Sequence, residues 1–115
     1  MLIVDDNVEL AENIAEILAM DGHLTTVAVS AEEALVMAKD CEPDFVVTDY
    51  RLPGMNGADF VKRLQSSVRG TVRAVVVSAY TDDRTIREAT DAGAAFVAKP
   101  VDFQILMRLL TDASA

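Results

Sequence analysis

Four apolar runs in this chain each end on residues able to do chemistry: Asp5 with Asp6, Asp49, Ser78, and Lys99 followed by Pro100. An apolar run that stops at a polar residue marks a buried strand leaving the core. If such strands lie parallel in one sheet, their carboxyl ends share an edge, and these side chains converge on one pocket. Asp5 and Asp6 alone would also suit a helix start, where the dipole favours negative charge. Asp49 is harder to explain as a cap, because it follows the apolar Phe45, Val46 and Val47 and precedes Leu52, Pro53 and Gly54.

Like charges 4 Å apart repel by about 4 kcal/mol per pair at an effective dielectric near 20. Clustered carboxylates therefore need a cation or raised pKa values. With neither histidine nor cysteine at these positions, the hard oxygen donors select magnesium, or manganese, over zinc. Lys99 would bring a positive charge from the last strand, and Pro100 after it suits a tight turn, with a cis bond open to it. Ser78 would supply a hydroxyl; read singly, it and Lys99 also fit an ordinary strand-end hydroxyl and a solvated surface lysine. Together the groups describe a site for a phosphoryl group, with metal and lysine offsetting charge and Asp49 as a nucleophile able to form an aspartyl phosphate.

The elements that must position these residues follow from the hydrophobic pattern. Valine-rich runs at 2–4, 24–29, 45–48, 74–77 and 95–98 are too short and too β-branched to prefer helix, and read as five strands. The first, third and fourth lack polar alternation, as strands covered on both faces do. Val8, Ala11, Ile14, Ala15 and Leu18 predict a first helix, with Asn7 as cap and Gly22 just after it. Ser30 and Glu33 match a capping box for the second; Phe60, Val61 and Leu64, after Gly57, mark the third. Thr81 is the expected cap of the fourth, whose inward residues would be only Ile86, Ala89 and Ala92 before Gly93 closes it. Asp102 should cap the last, where Ile105, Leu106, Leu109 and Leu110 form an apolar stripe.

Regular strand and helix alternation predicts an α/β fold, a three-layer sandwich around a doubly wound, five-stranded parallel sheet. Right-handed crossovers favour the flavodoxin-like order 2-1-3-4-5. A length of 115 residues fits one domain, and 51% hydrophobic against 25% charged residues is a globular balance with no membrane-length apolar run. No secretory signal precedes Asp5, and the single cysteine, Cys41, allows neither an internal disulfide nor a cysteine-based zinc site, so a reducing, cytoplasmic setting is expected. A net charge of -9 argues against direct contact with nucleic acid or a membrane surface. A start at the first strand and an end soon after the fifth helix suggest that 1–115 is a domain excised from a longer protein, with a small stand-alone protein as the alternative.

Val4-Asp5-Asp6-Asn7, the run from Val47-Thr48-Asp49 through Tyr50-Arg51-Leu52-Pro53-Gly54-Met55-Asn56-Gly57, Val77-Ser78-Ala79 and Lys99-Pro100 occur in one order along the chain. In that order they resemble the receiver domain of two-component response regulators, over essentially the whole length. The resemblance implies that Asp49 takes a phosphoryl group from a phosphohistidine on a sensor histidine kinase or phosphotransfer protein. It implies that Asp6, Asp49 and the backbone carbonyl of Arg51 ligate magnesium, that Asp5 acts through a metal-bound water, and that Ser78 and Lys99 hold the phosphoryl oxygens. Phe96 stands at the family's switch aromatic, turning inward as Ser78 moves toward the phosphate; ordinary core filling is its other reading. The output surface would be helix four, strand five and helix five, acting on a downstream effector domain or protein, with a homodimer formed on phosphorylation left open.

On this reading the chain is a signalling switch rather than a metabolic enzyme, self-phosphorylating from small donors and slowly losing phosphate, at a rate influenced by groups such as Arg51 and Tyr80. A phosphohydrolase with an aspartyl intermediate would want an acid two residues after the nucleophile, where this chain has Arg51. A flavin or nucleotide binder would want a glycine- or hydroxyl-rich first loop, where it has Asp5 and Asp6. His23 has no second histidine for a relay and is expected at the surface; Met20, Met37 and Met107 are expected to pack.

Overall fold

The short β-branched runs and the helical patterns between them fold into strictly alternating elements. The computed structural model describes residues 1–20, 22–67 and 72–113. They form β1 (Leu2–Val4), α1 (Val8–Met20), β2 (Thr26–Ala28), α2 (Ala31–Cys41), β3 (Phe45–Asp49), α3 (Gly57–Ser67), β4 (Arg73–Ser78), α4 (Asp83–Asp91), β5 (Ala94–Ala98) and α5 (Phe103–Ala113). The strands make one sheet in the order β2-β1-β3-β4-β5, and every pairing is parallel. Among the described residues no helix is long and apolar enough to cross a membrane.

Alternation of side chains across the strands supplies both faces of the sheet with apolar groups. Leu2, Val4, Val46, Ala74, Val76 and Ala94 pack with Ala34 of α2, Phe60, Val61 and Leu64 of α3, and Ala89 of α4. Ile3, Phe45, Val47, Val75, Val77 and Val97 pack with Ala11, Ile14 and Leu18 of α1 and Leu106 of α5. The result is the expected three-layer sandwich, with β1, β3 and β4 inside the sheet.

Caps fix where most helices begin. Asn7 Oδ1 accepts from the Leu10 amide at 3.2 Å, Ser30 Oγ from Glu33 at 3.1 Å, and Asp102 Oδ1 from Gln104 at 2.9 Å, as the sequence predicts. Asn56, not anticipated, does the same for α3 through the Asp59 amide at 2.8 Å.

Other expectations are corrected. The second strand is Thr26–Ala28 rather than 24–29, because β1 offers it only Leu2, Ile3 and Val4 as partners. Leu24 lies outside, 90% exposed, its carbonyl accepting from the Met1 ammonium at 2.9 Å. Asp82, not Thr81, caps α4, taking the Thr85 amide at 3.3 Å and hydroxyl at 2.8 Å. Satisfying that hydroxyl lets Thr85 turn inward and join Ala89 and Ala92 in the buried set, while Ile86 is half-buried. On α5, Leu106 is buried and Leu109 half-buried, but Ile105 is exposed; the side chains of Leu110 and Cys41 lie outside the described residues. Met37 and Met107 pack against the core, whereas Met20 is 84% exposed at the end of α1. His23 is half-buried.

Candidate functional site

The parallel order brings the carboxyl ends of β1, β3, β4 and β5 to one edge, and the register sets their heights. Asp49 pairs with Val77, and Ser78 pairs with Ala98, so Asp49, Ser78 and Lys99 emerge within one residue of each other across adjacent strands. Backbone bonds hold the strand exits together: the Asp5 amide donates to Ala28 O at 3.1 Å, Tyr50 to Val77 O at 2.8 Å, and Lys99 to Ser78 O at 2.9 Å.

Asp5, Asp6 and Asp49 each bring a carboxylate oxygen within 4.8 Å of the others. Asp5 is buried, Asp49 half-buried and Asp6 exposed, so the cluster has an inner wall and an open mouth. The Asn7 amide donates to Asp5 Oδ1 at 2.9 Å and fixes that carboxylate. Burial is the main force pushing the Asp5 carboxyl above its ordinary range; the Asp49 and Asp6 charges push the same way, against the Asn7 hydrogen bond and the Lys99 charge. Lys99 Nζ stands 3.3 Å from Asp49 Oδ1, and the Lys99–Pro100 bond is cis.

One ammonium against three carboxylates leaves a net negative pocket, with pairwise repulsion of roughly 3.5 kcal/mol at 4.8 Å and an effective dielectric near 20. Hard oxygen donors, an exposed member and no nitrogen or sulfur ligand among the described residues make the cluster a good fit for a magnesium-like cation that keeps several waters.

The loop after β3 is shaped by one close approach. A Cβ on Gly57 would stand 2.3 Å from the Asp49 carbonyl oxygen, so only glycine lets the start of α3 fold back against the Asp49–Tyr50 backbone. There the Gly57 amide donates to Tyr50 O at 2.6 Å, and the backbones of Arg51 and Asn56 form an isolated bridge.

Ser78 is buried at the end of β4, its hydroxyl accepting from the Tyr80 amide at 2.9 Å. The Arg51 guanidinium lies 4.6 Å from the centre of the Tyr80 ring, joining two loops that leave this sheet edge. Phe96 sits lower, half-buried in β5 beside Val76, against the cluster shared with α2, α3 and α4.

Asp5, Asp6, Asp49, Ser78 and Lys99 thus emerge at one edge, whereas Arg51 lies in the loop after β3, Phe96 lies within the sheet, and Pro100 follows Lys99 and is exposed. Sequence reasoning missed the bond from the Tyr50 hydroxyl to Glu88 on α4, a pairing of residues 38 apart that leaves no local signature. A cavity of about 510 Å³ at the opposite end of the strands is lined by Phe45, Gln65, Val72, Arg73, Gly93 and Leu109 among others, with no carboxylate among its described lining residues.

Comparison with known proteins agrees with this geometry. The family description "response regulator receiver domain" matches residues 1–111. A response regulator receiver protein of Anaeromyxobacter is 40% identical over 101 residues, covering 87% of this chain and 42% of the relative, so the chain spans about two fifths of that protein. Sporulation initiation phosphotransferase F of Bacillus subtilis is 31% identical over 103 residues, covering 89% of this chain and 82% of the relative. A Burkholderia pseudomallei response regulator, solved with a phosphorylated aspartic acid, calcium ion and citrate, superposes with a TM-score of 0.83 at 30% identity, covering 98% of this chain and 67% of that one.

Proposed function

Because the chain belongs to the response regulator receiver domain family, we propose that Asp49 is its phosphoacceptor and that the strand edge around it is a magnesium-dependent phosphoryl-transfer site. The observation that carries this is the juxtaposition of Asp49 with Lys99 at 3.3 Å and with the carboxylates of Asp5 and Asp6 within 4.8 Å.

An Asp49 oxygen attacks the phosphorus of a phosphohistidine on a sensor kinase or phosphotransfer protein. The phosphorus–nitrogen bond breaks, the imidazole leaves with a proton, and an acyl phosphate remains on Asp49. Lys99 lies where it can pair with a phosphoryl oxygen instead of Asp49 Oδ1, and the Ser78 hydroxyl can turn from the Tyr80 amide to donate to another. Asp6, Asp49 and the Arg51 carbonyl would hold magnesium, or manganese, with Asp5 acting through its waters; the cation supplies charge neutralisation for the incoming group. Water later attacks the phosphorus and releases inorganic phosphate, restoring the carboxylate. The protein is a phosphoacceptor rather than a metabolic enzyme, acts in the cytoplasm where ATP-dependent kinases form the donor, and signals through α4, β5 and α5 to an effector domain or protein, with Phe96 following Ser78 inward. A phosphorylation-dependent homodimer through that same face fits this reading.

Incubation with acetyl phosphate and Mg2+ should give a hydroxylamine-labile adduct that disappears with EDTA and in Asp49→Asn. An adduct that persists in Asp49→Asn would reject the assignment.

A further inference from the structure

Tyr50 joins the residue after Asp49 to helix α4. Its amide donates to Val77 O at 2.8 Å and its carbonyl accepts from the Gly57 amide at 2.6 Å, so its backbone is fixed between β4 and the start of α3. Its half-buried ring packs against the cluster that contains Ala89 and Ala92, and its hydroxyl donates to Glu88 Oε2. The other Glu88 oxygen accepts from Arg84 Nε at 3.1 Å. These bonds hold the Glu88 carboxyl below its usual range, that from Tyr50 first.

Little else anchors α4. Its fully buried residues are Thr85 and Ala89, with Ala92 just past its end, so its grip on the sheet comes from small side chains. A nine-residue helix held by small contacts shifts easily between packings, and a hydrogen bond to a charged acceptor is a large part of what fixes it.

Resting on the reading of Asp49 as phosphoacceptor, we infer that the Tyr50 hydroxyl and Glu88 form a latch holding α4 in the arrangement seen here, so that Tyr50 is the positioning residue through which a change at Asp49 reaches the α4 surface. A latch that favours one of two arrangements lowers the apparent affinity for any ligand preferring the other, by the fraction of competent molecules. Breaking it removes that handicap.

The test is equilibrium binding of beryllofluoride, a phosphoryl mimic, in the presence of Mg2+, with amide exchange across residues 83–91. Tyr50→Phe, which keeps the ring, and Glu88→Ala should each tighten binding about three- to tenfold and speed exchange in α4 by a similar factor. Combining them should add little beyond either alone. Glu88→Gln retains an acceptor oxygen but loses the charge, and should fall between the native protein and Glu88→Ala. Native-like or weakened binding in both Tyr50→Phe and Glu88→Ala overturns the latch while leaving Asp49 as acceptor. Equal binding by the native protein and Asp49→Asn, or none by either, overturns both.

Discussion

Asp5 bears the electrostatic cost of the site. Its carboxyl is buried beside two other acids, and its pKa in the fold lies above that of an unfolded chain. The folded protein therefore holds that proton more tightly than the unfolded one, and stability falls as pH rises through the window between the two values. At neutral pH without metal the ionised Asp5 works against folding. Asp5→Asn should raise the metal-free Tm at pH 7, with the advantage shrinking as pH is lowered through the carboxylate range. A Tm lowered at pH 7 would mean that the Asn7 hydrogen bond and Lys99 outweigh burial. Asp5, Asp6, Asp49, Ser78 and Lys99 were legible as chemical groups because each ends an apolar run, where a strand pattern alone predicts the edge it will reach. Tyr50 and Glu88 were not, since their meeting depends on how α4 packs, which no local pattern encodes.

The loop between β3 and α3 and the helix α4 show how elements set the chemistry. Gly57 admits a backbone approach that any Cβ would block, with the Asp49 carbonyl oxygen 2.3 Å from where that atom would lie. Gly57→Ala should destabilise the fold by roughly 1–3 kcal/mol, the range for forced overpacking, and lower Asp49 phosphorylation with it. Chemical denaturation of both proteins checks the first effect; a loss under about 0.5 kcal/mol would show that the loop relaxes freely. Element types and order were readable because each apolar run and helical pattern is bounded by caps or turn residues. Boundaries failed where a partner set the limit: β1 is only Leu2–Val4 and cuts β2 short, and Asp82 takes the capping role expected of Thr81 because it reaches both the amide and the hydroxyl of Thr85. The burial of Thr85 and exposure of Ile105 likewise follow from helix rotation, which a stripe of apolar residues fixes only loosely.

The whole molecule is a parallel sheet whose two faces are closed by apolar packing and whose carboxyl edge is left for charge. Stability lies in the two clusters flanking the sheet, while the site adds repulsion, so a bound cation should act as a stabiliser of the fold as well as a partner in chemistry. At Mg2+ ten times its dissociation constant the gain is about 1.4 kcal/mol, or a Tm rise of roughly 4–6 °C for a domain of this size. Thermal unfolding with and without Mg2+ measures it, and the rise should shrink in Asp6→Asn; an unchanged Tm in the native protein would contradict metal binding at this edge. All of this chemistry requires Asp49 to take the phosphoryl group. Treating the intact chain with acetyl phosphate and Mg2+, trapping the adduct by borohydride reduction and locating the reduced residue by peptide mass spectrometry tests it most directly. We expect the single reduced residue at Asp49; reduction at Asp5, Asp6 or any other carboxylate would contradict the account.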